Sequence, residues 1–229
     1  LQKAIDDLTK ALEFDKDNVQ ARYLLALIYS TQKDYDQAAK QYEAILSSFV
    51  AAQPENVEIY GYLAQLYYSQ KEYGKAIQQF EAVLSLEPDN SDVMFLLGAL
   101  YLETENEQKA MELFEKTLQY DPSNDSCLNS LGYLYAEKGI KLNEAKVMIE
   151  QALLVDPQNG AYLDSLGWVY FKQGDHQKAL EYLLKALNVL EDPEIYKHIS
   201  QVYRAMGDSA KADEYWQRAL GVFQEGDPQ

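Results

Sequence analysis

Residues that could do chemistry together lie close in one stretch of the sequence, YLDSLGWVYFKQGDH (162–176), which contains Asp164, Ser165 and His176. A serine with an imidazole base and a carboxylate is the side-chain set of nucleophilic acyl transfer. If the stretch is helical, however, Ser165 and His176 are separated by about 16 Å along the axis, too far for a hydrogen bond. The imidazole of His198 is expected to lie nearer to Ser165. No Gly-x-Ser-x-Gly turn is present, so the sequence predicts no catalytic residues and no enzyme activity.

Metal, cofactor and thiol chemistry have equally little support in the residue types. The chain has two histidines and one cysteine, without a His-x-x-x-His or Glu-x-x-His pair. We therefore expect no metal site and no cofactor. The glycines of GYLYAEKG and QGDHQKA do not form a phosphate-binding loop. Cys127 is predicted to be a small packing residue rather than a reactive thiol.

The overall charge excludes some partner classes. Acidic side chains number 37 against 20 basic ones, which gives a net charge of −17. Nucleic-acid binding requires a basic surface, so no nucleic acid is expected. No apolar run reaches the ~18 residues of a membrane span, so direct membrane insertion is not expected either. The chain begins at Leu1, from which we expect a fragment of a longer protein. The compartment stays open between cytoplasm and periplasm, with an envelope anchor in the longer chain as a further alternative.

One segment recurs six times along the chain, and these repeats must position any functional side chain. Its large aliphatic anchors are spaced 38, 34, 34, 35 and 33 residues apart. The anchors are Leu25, Leu63, Leu97, Leu131, Leu166 and Ile199. A second segment follows each one, with an alanine at Ala38, Ala76, Ala110, Ala145, Ala179 and Ala212. Both segments have helical periodicity, and prolines such as Pro88 and Pro122 stop the second helix. The sequence therefore predicts an all-α fold built as an α-solenoid of antiparallel helix pairs.

The repeat resembles the tetratricopeptide repeat family. In the fifth copy the matching residues are Leu166, Gly167, Tyr170, Ala179, Leu183 and Ala186, and Pro193 comes two positions late. The resemblance implies a right-handed superhelix whose first helices line a concave groove. The small residues Gly98, Gly132 and Gly167 are expected to let the two helices of a pair approach closely. The expected units are a lone second helix (1–18), six repeats and a tail (225–229). The repeats are expected at 19–56 (extended), 57–90, 91–124, 125–159, 160–192 and 193–224.

Residues 128–180 also resemble a repeat pair of bacterial tetratricopeptide proteins, among them envelope lipoproteins that act as adaptors for a processing protease. The resemblance implies a non-enzymatic scaffold or adaptor that binds a peptide or helix of a partner in its groove. The early basic positions of the family's carboxylate-clamp members are aromatic or aliphatic here, so a chaperone tail is not the expected ligand. Two alternatives stay open: a self-assembling module with end-to-end association, and a regulatory domain of a larger enzyme.

The family's groove positions supply the predicted contact residues. They change along the chain from aromatic and apolar, through amide and hydroxyl, to basic. The predicted partner-binding residues are Tyr23, Leu27, Tyr62, Gln65, Tyr68, Phe95, Ala99, Asn129, Tyr133, Asp164, Ser165, Trp168, Lys197, Gln201 and Arg204. Exposed aromatic rows commonly mark partner sites, and Tyr62, Tyr133 and Trp168 are the strongest candidates.

Overall fold

A computed structural model describes residues 1–49 and 57–225 of the chain. The described residues form thirteen α-helices and no strand, which confirms the all-α class. In chain order the helices are α1 (Gln2–Phe14), α2 (Val19–Thr31), α3 (Tyr35–Phe49), α4 (Val57–Ser69), α5 (Tyr73–Leu86), α6 (Ser91–Glu103), α7 (Glu107–Tyr120), α8 (Asp125–Glu137), α9 (Leu142–Val155), α10 (Gly160–Lys172), α11 (His176–Val189), α12 (Pro193–Ala205) and α13 (Ser209–Glu225). None of these helices is long and apolar enough to span a bilayer. The insertion that was expected to lengthen the second helix of the first repeat falls mostly on residues 50–56, which with Pro54 lie outside the described residues, as do 226–229.

Asparagine side chains begin most of the first helices. Asn18, Asn90 and Asn124 accept the backbone N–H groups of the residues three positions ahead at 2.9, 3.0 and 2.9 Å. These bonds satisfy N–H groups that the first turn of a helix leaves without a partner. Asn90 and Asn124 end the motifs EPDN (87–90) and DPSN (121–124), whose prolines stop the preceding second helix. One short motif therefore ends one helix and begins the next. At the second helices, Asp175 accepts from Lys178 at 3.1 Å in the same way.

The turn inside each helix pair requires one residue in the left-handed conformation. Glycine occupies this position in the later pairs, with φ of 84° at Gly174 and Gly207. In the earlier pairs Lys33, Lys71 and Glu105 adopt φ of 60°, 59° and 58°. A side chain makes this conformation unfavourable by about 1–2 kcal/mol, so these three turns are held by the packing of the helices that they join.

The chain divides into two compact units, unit 1 (Leu1–Asn106) and unit 2 (Glu107–Gln229). In unit 1, each helix from α1 to α6 packs on the next one in sequence. Ala26, Ala38 and Ala64 are fully buried where the helices meet. Tyr101 donates from its hydroxyl to Glu81 Oε1 at 2.9 Å, and the Tyr67 hydroxyl donates likewise to Glu43.

In unit 2, helices α7 to α13 also pack on their sequence neighbours, and α10 additionally contacts α8 and α12. A Cβ atom built on Gly167 would lie 2.7 Å from Leu183 Cγ and 3.1 Å from the Ala179 carbonyl oxygen. At Gly132 the corresponding distances to Ile149 Cγ1 and the Ala145 oxygen are 2.8 and 3.1 Å. The close helix approach that was predicted at these two glycines is therefore confirmed.

The single cysteine lies in the core of unit 2. Its Sγ is 3.4 Å from the Phe114 carbonyl oxygen, and the residue is fully buried. Burial raises the pKa of the Cys127 thiol to about 12, because the thiolate would have to form away from water. These values support the prediction of an unreactive packing residue.

Candidate partner-binding surface

Three tyrosines from different helices form the centre of the candidate surface of unit 1. Tyr42 of α3 stacks on Tyr62 of α4 with ring centroids 5.6 Å apart, and Tyr23 of α2 meets both rings at 6.2 and 6.1 Å. The hydroxyls of Tyr23 and Tyr62 are 3.4 Å apart. Burial raises the pKa of Tyr42 to about 12, and the hydrogen bond with Tyr62 raises the pKa of Tyr23. Tyr23 and Tyr42 therefore stay neutral at physiological pH.

Exposed apolar side chains extend this cluster along the first helices. Leu24, Leu27, Tyr68 and Leu96 are exposed to 39, 36, 46 and 40%. We call these four residues, together with Tyr23 and Tyr62, the apolar band. A cavity of about 200 Å³ lies beside the band. It is lined by Leu27, Ser30, Tyr42, Tyr62, Gln65, Leu66 and Ser69.

The predicted contact residues of unit 1 lie at or beside the band. Gln65 is exposed at the cavity, whereas Phe95 and Ala99 on α6 are half-buried. The structure thus leaves an accessible surface at the predicted positions of α2 and α4.

The charges on the first helices of unit 1 are nearly all negative. Glu58, Asp92 and Glu103 are exposed on α4 and α6, and these two helices contain no basic residue. Arg22 is the basic residue of α2, and its guanidinium donates to the Lys16 carbonyl oxygen at 2.7 Å. A ligand at the band would therefore meet a negative potential.

The candidate residues of unit 2 are packed differently, because three of them are buried. Asp164, Ser165 and Trp168 are exposed to 8, 4 and 3%. The buried His198 lies against them, with Nδ1 at 2.9 and 3.1 Å from the two carboxylate oxygens of Asp164. Its ring stacks on Trp168 with centroids 4.1 Å apart. In this conformation Asp164, Ser165 and Trp168 offer almost no surface to a partner.

Nucleophilic chemistry at Ser165 has no geometric support. Its hydroxyl donates to the Ala161 carbonyl oxygen at 2.9 Å, within the same helix. His198 contacts Asp164 rather than the serine, and His176 lies against Phe171 with ring centroids 5.7 Å apart. Among the described residues, no three or more His, Cys, Asp and Glu side chains are grouped so as to hold a metal ion.

Two polar atoms of the same part of unit 2 are buried without a hydrogen-bond partner. They are Nε1 of Trp168 and Oδ1 of Asn129. Tyr133, four residues after Asn129 on α8, is half-buried, and its ring centroid is 6.2 Å from that of His198. Unpaired buried polar groups are rare in proteins, and among the described residues the third such atom is Oε1 of Gln70 in unit 1.

The basic residues predicted on α12 already have acidic partners. Lys197 Nζ lies 2.7 Å from Glu194, and Arg204 lies 3.5 Å from Asp213. Gln201 is exposed. These three side chains can still be reached by a partner, but the positive charges of Lys197 and Arg204 are partly compensated by the neighbouring carboxylates.

Comparison with known proteins agrees with this repeat architecture. Three family models described as "Tetratricopeptide repeat" match residues 1–49 and 23–84, 68–131, and 160–192. The chain belongs to the tetratricopeptide repeat family. A search of curated protein sequences gave no match.

Solved tetratricopeptide repeat structures share the fold at low sequence identity. PilW, described as a widely conserved type IV pilus biogenesis factor, is 23% identical with a TM-score of 0.70, covering 91% of this chain and 95% of its own. YrrB, described as having an unusual peptide-binding site, is 22% identical with a TM-score of 0.66 and covers 82 and 94%. A repeat protein from Parabacteroides merdae is 19% identical with a TM-score of 0.67 and covers 95 and 84%.

Sequence reasoning missed one recurrent feature of these tetratricopeptide repeats. The tyrosine near the end of a first helix donates to a glutamate on the preceding second helix, as Tyr135 does to Glu115 Oε1 at 2.6 Å. Lysines lie over the rings of these tyrosines, with Lys141 Nζ 4.4 Å from the Tyr135 centroid. The repeat pattern gives these tyrosines only a packing position. The glutamate 20 residues before Tyr101 and Tyr135, and 24 residues before Tyr67, is the signal that would have shown the bond.

Proposed function

We propose that the chain is a non-enzymatic interaction scaffold that binds a segment of a partner protein on the faces of its first helices. The observation that carries the proposal is the apolar band of unit 1. Leu27 and Tyr62 of the band line a cavity, and Leu24 is exposed on the same helix as Leu27. Grouped exposed apolar residues commonly mark a partner site, whereas isolated ones would need no explanation. In YrrB, which shares the fold, the described function is peptide binding.

The chemistry of the band indicates what kind of segment it binds. The cavity of about 200 Å³ has room for one apolar side chain of the size of leucine or phenylalanine. Ser30, Gln65 and Ser69 line it and can hydrogen-bond the backbone of an incoming peptide. Glu58 and Asp92 are exposed on the same helices and favour Lys or Arg in the partner. The proposed ligand is therefore an amphipathic segment with one or two apolar anchors next to basic residues.

An unbiased peptide selection tests the proposal. Random twelve-residue peptides displayed on phage are selected against the immobilised protein, and enriched peptides are synthesised with a fluorescent label. We expect enriched sequences that combine aromatic or aliphatic anchors with Lys or Arg. Binding, measured by fluorescence anisotropy, should weaken as salt rises, because part of the attraction is between exposed charges.

Variants locate the binding surface. Leu27→Asp and Tyr62→Ala should each weaken peptide binding by about tenfold or more, since each removes an anchor contact worth more than about 1 kcal/mol. Leu154→Asp is the matched control, because Leu154 is 82% exposed on α9 and lies outside the band. Circular dichroism confirms that each variant folds. Selected peptides that bind the two band variants and the native protein equally would contradict the proposal.

A further inference from the structure

The Asp164–His198 pair of unit 2 is the most deeply buried ionisable pair in the part of the chain that the structure describes. His198 is 2% exposed and Asp164 is 8% exposed. The pair joins α10 to α12, with Nδ1 of the ring within hydrogen-bond distance of both carboxylate oxygens. On the other side of the ring, Nε2 lies 3.8 Å from Oε1 of Glu194.

Several charged or titratable groups surround the pair, and most are acidic. From α12, Glu194 faces Nε2, and Asp192 at the start of the helix acts on Asp164 through its charge. The other groups on the neighbouring helices are Tyr133 and Glu137 of α8, Lys172 of α10 over the Trp168 ring, Lys197 paired with Glu194, and Arg204 paired with Asp213 of α13.

This geometry suits a pair that carries a proton. A protonated imidazole donates from Nδ1 to Asp164 and directs its second N–H towards Glu194. It also places a cation on the face of Trp168, where the ring quadrupole attracts it. Without the proton, a buried carboxylate has only a neutral partner, and the Nε2 lone pair faces an acidic oxygen. Both changes weaken the packing of α12 on α10.

We propose that the Asp164–His198 pair is a proton-dependent lock between α10 and α12, which keeps a proton in the folded chain that the unfolded chain releases. Raising the pH removes this proton, and α12 then loosens from α10. The proposal does not depend on the function assigned to the apolar band. It makes the surface of α12, which carries Lys197, Gln201 and Arg204, sensitive to pH.

The shift of the Asp164 pKa concerns the same shared proton: it favours keeping one proton on the pair, on the carboxyl group or on Nδ1, to a higher pH than an exposed carboxyl group would. Burial raises this pKa, and Glu194 and Asp192 raise it further, while the hydrogen bond from His198 lowers it in part. A group whose pKa is higher in the folded state adds stability that is fully present below its unfolded pKa and is lost as the pH rises through its folded pKa. The stability of unit 2 should therefore fall from the acidic towards the alkaline side.

The test uses the small number of reporters in the chain. The sequence has two tryptophans and two histidines, so Trp216→Phe leaves Trp168 as the single tryptophan, excited selectively at about 295 nm or above, and His176→Gln leaves His198 as the single imidazole. In this background, urea unfolding followed by Trp168 emission is measured between pH 5 and 9, with and without Asp164→Asn. The asparagine keeps the shape and an acceptor oxygen but not the charge. Both proteins share all other charges, so subtracting the two profiles isolates the pair.

The lock predicts a steeper loss of stability with rising pH when Asp164 is present. Over this range the folding equilibrium constant should fall about tenfold or more relative to Asp164→Asn. Parallel profiles would overturn the proposal. A second measurement needs no change in the pair: the emission of Trp168, which stacks on the His198 ring, and the hydrogen exchange of α12 amides should change together as the pH rises. Emission and exchange that change over different pH ranges would overturn it too.

Discussion

Gly167→Ala should destabilise unit 2, although alanine is the better helix former. The new Cβ would lie 2.7 Å from Leu183 Cγ, 3.0 Å from Leu183 Cδ2 and 3.1 Å from the Ala179 carbonyl oxygen. Leu183 is fully buried and Ala179 O belongs to the backbone of α11, so neither can move away without shifting the helix. Overpacking of this kind costs about 1–3 kcal/mol. The gain in helix propensity offsets about 1 kcal/mol of this cost, which leaves a net loss of up to about 2 kcal/mol.

A matched glycine separates the packing effect from the propensity effect. Gly61 also lies inside a helix, but a Cβ there would meet no atom within 4 Å. Gly61→Ala should therefore gain about 0.5–1 kcal/mol. Urea unfolding, followed by circular dichroism and by Trp168 emission for unit 2, measures both variants. For a chain of 229 residues, each kcal/mol corresponds to a shift in Tm of about 2–4 °C. A Gly167→Ala protein that is more stable than the native chain would refute the reasoning.

Three further predictions concern a thiol, a turn and a bridge. Cys127, with its pKa raised by burial to about 12, should react with a disulfide reagent at pH 8 only as fast as the protein unfolds, and prompt labelling of the native chain would contradict this. Lys71→Gly should raise the unfolding free energy by about 0.5–1 kcal/mol in urea titrations, since φ is 59° at this position, and no gain would show that the turn is unstrained. Tyr135→Phe should lower it by about 1 kcal/mol, because the hydroxyl contacts Glu115 and Lys141. Burial and Glu115 also raise the pKa of Tyr135, so the stability that its hydroxyl provides persists below pH 10 and is lost above it. A Tyr135→Phe variant that unfolds at alkaline pH in the same way as the native chain would count against the bridge.

The repeat pattern predicted the fold because the residues that define each repeat lie close together in the sequence. The anchor residues, the small residue beside them and the capping aspartates all act within one helix pair, and their spacing is visible in the sequence. Gly132 and Gly167 confirm this at atomic distances. The same spacing predicted an accessible aromatic surface on α4, where Tyr68 is 46% exposed.

The burial of the unit 2 residues could not be predicted in this way. A charged Asp164 on the inner side of a first helix suggests a solvent-facing group. Its burial depends on His198 from the following repeat, which contacts the carboxylate, and on the large ring of Trp168, which stacks on His198. The two residues of the pair lie 34 positions apart, in different repeats. The groove positions are defined within a single repeat, so they do not reveal a contact between two repeats.

The tyrosine–glutamate bridges bear on how such a chain can grow. In Tyr67–Glu43, Tyr101–Glu81 and Tyr135–Glu115, the tyrosine lies near the end of a first helix and the glutamate lies on the second helix before it. A duplicated gene segment that encodes one helix pair would therefore carry both bonding residues: the tyrosine that bonds to the preceding pair and the glutamate that bonds to the following pair. An inserted copy of the pair can form these hydrogen bonds with both of its neighbours. The number of repeats can therefore change during evolution without a new contact between pairs having to evolve.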